Sequence, residues 1–280
     1  MKVSLIQMNS ISDKAANIAQ AKGLIARAIA EENPDWILLP EQFDWAGGVK
    51  GDKARNAETF PGGPAYTMAQ EMARAHGVFI HAGSIMERIE GDERIHNTTV
   101  VFNRQGDEIA RYRKIHLFDV TTPDGAAYRE SSTVKAGDLV VTYDCEGVTV
   151  GCTICYDLRF PGLFQALADK GSQVIALPAA FTMQTGKDHW EVLLRARAIE
   201  TETYVCASAQ TGTFTVNNET RATYGHSLIA DPWGLVVAKA SDGVGVVSSR
   251  LDMGQVKRVR GMIPVAEHRR RIEGDGVVES

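Results

Sequence analysis

Three side chains of unlike chemistry each follow a short apolar or alternating run. Glu41 follows Trp36-Ile37-Leu38-Leu39-Pro40, Lys114 follows the segment that begins at Glu108, and Cys155 follows Val148–Ile154. A thiol is a nucleophile as thiolate or beside a base, and a carboxylate can be that base. An ammonium can hold the oxyanion of a tetrahedral intermediate, with the backbone N–H after the cysteine as second donor. Acid, amine and thiol at three strand ends therefore fit the parts of an acyl-transfer site. Each also has a plain reading: an isolated Glu or Lys after a strand is ordinarily a solvated loop residue, and an arbitrary cysteine is ordinarily a buried thiol. Cys152-Thr153-Ile154-Cys155 further spells C-x-x-C, a redox or zinc pattern, although no second pair lies at finger-like spacing. Strand parity groups Val148, Val150, Cys152 and Ile154 on one face, with Cys155 on the other or just beyond the end, so Cys152 reads as core.

The elements that must carry these groups alternate between two periods. Strands are expected at Val3–Met8, Trp36–Leu39, Val78–Ala82, Thr98–Phe102, Glu108–Tyr112 and Leu139–Tyr143. More follow at Val148–Ile154, Gln173–Leu177, Tyr204–Ser208, Ser227–Ala230 and Leu235–Ala238. Ile18, Ala21, Ile25 and Ile29 recur at helical spacing. Further helices run from Pro64 to Gly77, from Pro161 to Gly171 and over His189–Thr201, with proline starts and glycine stops in the first two. Arg104-Gln105-Gly106-Asp107 and Asp231-Pro232-Trp233-Gly234 are turn sequences between strands. Cys155 thus falls between a strand and a helix, where open α/β sheets place ligands. The expectation is an α/β domain over residues 1–260, with a mixed sheet or two sheets under helices, then an extended tail over 261–280.

The 280 residues are 44% hydrophobic and 23% charged, with a net charge of −5, a composition that supports one sizeable core. Charges of both signs are interspersed, which excludes nucleic acid as an expected partner. The short basic cluster His268-Arg269-Arg270-Arg271 is expected to meet a neighbouring protein surface. No run reaches the roughly 20 apolar residues of a membrane span, and Met1–Met8 reads as a strand and not an export signal. The expectation is a cytoplasmic protein with reduced thiols and no membrane partner.

Several ordered motifs together resemble the nitrilase (carbon–nitrogen hydrolase) superfamily. They are Leu39-Pro40-Glu41, Arg113-Lys114-Ile115-His116-Leu117-Phe118-Asp119 and Cys155-Tyr156-Asp157-Leu158-Arg159-Phe160-Pro161, supported by Thr185-Gly186-Lys187-Asp188-His189-Trp190-Glu191, Leu194–Glu200, Tyr224-Gly225-His226-Ser227 and Asp231–Gly234. The resemblance covers the chain to about Arg271. It implies a four-layer α-β-β-α sandwich that pairs into a homodimer, with the tail at the interface. It implies Glu41 as general base, Lys114 as oxyanion stabiliser, Cys155 as nucleophile and Glu130 as a second glutamate that positions the lysine and substrate. It also implies no metal and no organic cofactor, with His189 and His226 structural. Tyr156-Asp157 follow the cysteine where nitrile hydrolases carry Trp-Glu, which implies amide hydrolysis through a thioester. The branch looks similar to the ω-amidases and deaminated glutathione amidases, whose substrates are small carboxylate-bearing amides hydrolysed to acid plus ammonia; an N-carbamoyl compound or a nitrile is the alternative within the superfamily. In that branch Phe181 matches a pocket-lining position, and Tyr156 is expected to bind substrate, its N–H serving as the second oxyanion donor. Arg159 is either a carboxylate binder or the structural partner of Asp157 or another acid. Lys187-Asp188 depart from the small or apolar residues common there, which bears on the substrate if that segment borders the pocket.

Overall fold

The apolar runs at Trp36–Leu38, Phe79–His81, Val174–Ala179 and Tyr204–Ala209 become strands buried on both faces, as strands between packed layers must be. The computed structural model describes residues 1–122, 125–273 and 276–278. In chain order, β1 (Lys2–Gln7), β2 (Trp36–Leu38), β3 (Phe79–His81), β4 (Ile85–Arg88), β5 (Ile95–Phe102) and β6 (Glu108–Arg113) belong to a first sheet. A small hairpin follows, β7 (Asp119–Thr121) with β8 (Ala127–Arg129). Strands β9 (Thr142–Cys145), β10 (Val148–Cys152), β11 (Val174–Ala179) and β12 (Tyr204–Ala209) open the second sheet. A further hairpin, β13 (Thr211–Val216) with β14 (Glu219–Tyr224), precedes β15 (Leu228–Ala230) and β16 (Val236–Lys239), which complete that sheet. Strand β17 (Gly245–Arg250) returns to the first sheet, and β18 (Arg271–Glu273) pairs with β19 (Gly276–Val278). The helices are α1 (Lys14–Glu32), α2 (Asp52–Asn56), α3 (Pro64–His76), α4 (Pro161–Asp169), α5 (Met183–Thr201), α6 (Met253–Met262) and α7 (Val265–His268).

The first sheet runs β17-β1-β2-β3-β5-β4, with β6 also on β5; the second runs β16-β15-β12-β11-β10-β9. Each has a parallel centre, β1-β2-β3 and β10-β11-β12, with antiparallel flanks. Along β2, Trp36 and Leu38 join Val150, Val174 and Val205 in the core between the sheets, while Ile37 and the following Leu39 pack with Ile25, Ala69 and Met72 of α1 and α3. Phe164, Leu167, Trp190 and Leu194 of α4 and α5 close the outer face of the second sheet. The four layers are α-β-β-α, as the resemblance implied.

Local signals explain the element ends. The Asp13 carboxylate accepts from the Ala16 N–H at 3.0 Å and starts α1, as a capping Asp does. Thr182 caps α5, accepting from Thr185 N at 3.4 Å. That helix therefore begins six residues before the expected start at His189, and Lys187-Asp188 lie inside it, exposed to solvent. The expected extended tail is also corrected: after Met262 the chain forms α7 and the β18–β19 hairpin. Both Arg104–Asp107 and Asp231–Gly234 connect strands as their turn chemistry requires.

Candidate active site

Lys114 stands between two carboxylates. Its Nζ donates to Glu41 Oε1 at 2.9 Å and to Glu130 Oε2 at 2.9 Å and Oε1 at 3.2 Å. Glu41 and Lys114 are 3% and 2% exposed, and Cys155 is 7% exposed. The Glu41 carboxylate and the backbone of Ala180 lie close enough to the Cys155 sulfur to act on its proton affinity. Asn97, in β5, donates to Glu41 Oε1 at 2.8 Å and reaches Glu130 Oε1 at 3.4 Å. Burial opposes charge on Lys114, but Glu130 and Glu41 outweigh it and hold the ammonium well above its usual 10.5. Burial likewise disfavours the Glu130 carboxylate, and Lys114 overcomes it, drawing that carboxyl below 4.5. At Cys155 burial and then the Glu41 charge push the thiol well above 9.0, against the pull of Lys114. These influences favour the neutral thiol, with a carboxylate beside it.

Each group is pinned by its own segment. Glu41 leaves β2 through a turn held by Gly83, which sits at φ +42; a Cβ there would lie 2.0 Å from the Pro40 carbonyl oxygen. Only glycine fits such an approach. The Gln42 N–H donates to Ser84 Oγ at 2.9 Å, and Gln210, at the end of β12, donates from Nε2 to the Glu41 carbonyl at 2.9 Å. Lys114 directly follows β6, its N–H donating to Asn97 O at 2.9 Å. The Phe118 N–H donates to Glu130 Oε2 at 2.7 Å, closing the loop between lysine and glutamate. Cys155 follows β10 in a one-turn 3₁₀ segment and adopts φ +47, a region a non-glycine residue occupies only when its surroundings impose it. Buried Asp157 supplies that constraint. It accepts from Ile154 N at 2.8 Å, from Tyr112 Oη at 2.7 Å and from His116 N at 3.1 Å, and it bonds His116 Nδ1 at 2.7 Å. One carboxylate thus ties the cysteine turn to the Lys114 segment.

These groups open on a cavity of about 680 Å³ lined by Glu41, Lys114, Glu130, Cys155, Tyr156 and Phe181, among others. Tyr156 and Phe181 both line this cavity. Arg159 does not: it is absent from the lining and lies behind it, its guanidinium 5.9 Å from the Tyr156 ring and 5.4 Å from the Phe181 ring. Nor does it pair with Asp157, whose oxygens are engaged as above; its nearest polar partner is His189 Nδ1 at 3.3 Å. Lys187-Asp188 are likewise outside the lining. His226 bonds the Tyr224 carbonyl at 2.8 Å. Cys152 is wholly buried in the core, and burial pushes its thiol up. Among the described residues no group of three or more His, Cys, Asp or Glu side chains is placed to hold a metal. Sequence reasoning missed Asn97, Lys53 of α2 and the β13–β14 hairpin, whose Phe214, Arg221 and Thr223 form one wall.

The class of protein follows from this arrangement and from likeness to known chains. The sequence matches the Carbon-nitrogen hydrolase family over residues 2–261, and the chain belongs to that family. It is similar to the deaminated glutathione amidase of Bos taurus, 39% identical over 272 residues, or 96% of this chain and 81% of that one. The deaminated glutathione amidase of Synechocystis sp. (strain PCC 6803) is 40% identical over 268 residues, 94% of this chain and 96% of that one. Among solved structures, Saccharomyces cerevisiae Nit3, a member of branch 10 of the nitrilase superfamily, superposes with a TM-score of 0.84 at 31% identity, covering 95% of this chain and 94% of that one. The C. elegans NitFhit protein gives 0.84 at 36% identity, over 96% of this chain and 65% of that one. The chain is an enzyme, a carbon–nitrogen hydrolase of the amidase kind.

Proposed function

We propose that the enzyme hydrolyses a small carboxylate-bearing amide of the deaminated glutathione or 2-oxo acid ω-amide type through a thioester on Cys155. The observation that carries the mechanism is the Glu41–Lys114–Glu130 cluster against the Cys155 thiol in one cavity. Glu41 takes the thiol proton as sulfur attacks the amide carbonyl. The oxyanion forms between Lys114 and the Tyr156 N–H. Protonated Glu41 returns its proton to the departing nitrogen, leaving a thioester, and then takes a proton from the water that hydrolyses it. Glu130 and Asn97 hold Lys114 and Glu41 in place throughout. A cavity of about 680 Å³ is in the range that encloses a drug-sized molecule. It accepts a peptide-like amide as well as a terminal one that releases ammonia, and the relatives named above support the former.

The test is acylation of the cysteine. Incubation with a short ω-amide and with deaminated glutathione should give a transient adduct of the acyl mass on Cys155, and Cys155→Ala should release product at less than about one-thousandth of the wild-type rate. Undiminished turnover by Cys155→Ala would sink the mechanism.

We also propose that the protein pairs with a second copy through the outer face of α5 and the β15–β16 hairpin. Val192, Ile199, Trp233 and Leu235 are each half or more exposed there, and the Arg195 Nε bond to the Gly234 carbonyl at 2.7 Å makes helix and hairpin one surface. Met262 and Ile263, 63% and 49% exposed, start the 261–280 segment that we assign to the same interface. A working thiol suits a reducing compartment, and we assign the enzyme to the cytoplasm.

A further inference from the structure

The cavity wall carries more positive charge than the reaction uses. Besides Lys114, its lining includes Lys50, Lys53, Arg94, Arg129 and Arg221. Arg94 is held by Asp92 at 2.9 Å. Arg129 donates to the carbonyls of Tyr128 at 2.7 Å and Val120 at 3.3 Å. Arg221 lies 4.5 Å over the Tyr128 ring with Glu219 at 3.5 Å. Lys50 is exposed to bulk water.

Lys53 differs from all of these. It is half-buried on the short helix α2 and lines the same cavity as Cys155 and Glu130. No hydrogen bond or ion pair reaches its ammonium from any described residue. Burial lowers its proton affinity below the usual 10.5, with the charges of Glu130, Glu41 and Asp44 acting in favour of the ammonium and Lys114 against it. A cation drawn out of water with no partner is costly and is ordinarily matched by something. The formal charges of Glu41, Glu130 and Lys114 sum to −1, and adding Lys53 brings the sum to zero.

We propose that Lys53 is a specificity-determining residue whose ammonium binds a carboxylate of the amide substrate. This rests on the amidase reading above, and it gives Lys53 the part that the sequence suggested for Arg159. The carboxylate belongs either to the acyl half, which stays on Cys155 as the thioester, or to the departing amine. Both present the same planar anion to a three-donor ammonium.

The experiment compares wild type, Lys53→Met, Lys53→Arg and Arg159→Met on three amides: succinamate (carboxylate on the acyl half), N-butyrylglycine (carboxylate on the amine half) and butyramide (neutral). Lys53→Met should lower the ratio of kcat/KM for one anionic amide over butyramide by about 10- to 100-fold, mainly through KM, the range for a lost charge-assisted contact. Which amide loses identifies the half that carries the anion, and Lys53→Arg should recover most of the ratio. A second measurement does not depend on turnover: alkylation of Cys155 by iodoacetate relative to iodoacetamide, followed by intact mass, should fall in Lys53→Met. If the wild type turns over none of the three amides, the substrate reading fails while the alkylation ratio still decides Lys53. An unchanged alkylation ratio, a loss shared equally by neutral and anionic probes, or an anion-selective loss in Arg159→Met alone overturns the proposal.

Discussion

The Lys114 ammonium donates to two carboxylates at once, so the two glutamates of the site are open to separation by substitution. Glu41 touches both the thiol and the lysine. On the proposed mechanism Glu41→Gln removes the base and is expected to lower kcat by about 10²- to 10⁴-fold. Glu130 meets the lysine, the Phe118 N–H and Asn97, and Glu130→Gln should act through Lys114. Glu130 is the largest of the influences that keep the lysine charged. Without it the ammonium gives up its proton at lower pH. Activity that needs the ammonium is present below that pKa and lost above it, so the kcat profile of Glu130→Gln should gain a falling alkaline limb that the wild type lacks over the same range. A profile identical in shape to the wild type would remove Glu130 from this role. Glu41, Lys114 and Cys155 were legible in the sequence because each falls within three residues of a strand end. Asn97 was not, since a polar residue inside His96-Asn97-Thr98-Thr99 looks like any other half-polar strand. Lys53 was hidden in a glycine- and charge-rich loop that resembles ordinary surface.

At the level of elements, the expected helix over His189–Thr201 and the observed α5 differ at the end that meets the cavity. Thr182 and Thr185 line the cavity, and Gly186 lets Tyr224 of β14 lie against the helix, where a Cβ would come within 2.3 Å of the tyrosine side chain. The β13–β14 hairpin escaped notice because Thr-rich alternation gives a weak apolar signal. Its turn was nonetheless marked: Asn217 and Asn218 take φ +48 and +67, the left-handed pair that a two-residue hairpin turn requires. The opposite face of α5 carries Val192 and Ile199, seven residues apart and so on one stripe. If a second copy covers that stripe, Val192→Asp combined with Leu235→Asp should shift the sedimentation coefficient from dimer to monomer at micromolar concentration. An unaltered coefficient, or a monomeric wild type, would refute the interface.

Across the whole molecule the two sheets meet around His81 of β3. Its ring lies 6.1 Å from Trp36 edge-on, and its Nδ1 bonds the Tyr143 hydroxyl of β9 at 3.1 Å. Complete burial lowers its pKa from 6.5 to about 3. The unfolded chain takes up a proton near pH 6.5 that the folded chain refuses until about pH 3. The stabilisation from a neutral His81 is therefore whole above 6.5 and is lost as pH falls through that window, by at most about 5 kcal/mol. His81→Gln should flatten the decline of unfolding free energy between pH 7 and pH 4 in urea melts; equal slopes would show that other groups govern acid sensitivity. On the proposed mechanism the same meeting of sheets decides when the enzyme becomes reactive. Glu41 and Lys114 hang from the first sheet and Cys155 from the second, and the left-handed turn at the cysteine is held by Asp157 reaching across to Tyr112 and His116. No nascent or half-folded chain owns the complete set. The thiol is armed only by the docking that also finishes the core, so a failed folding attempt leaves an inert sulfhydryl and not a stray acylating centre.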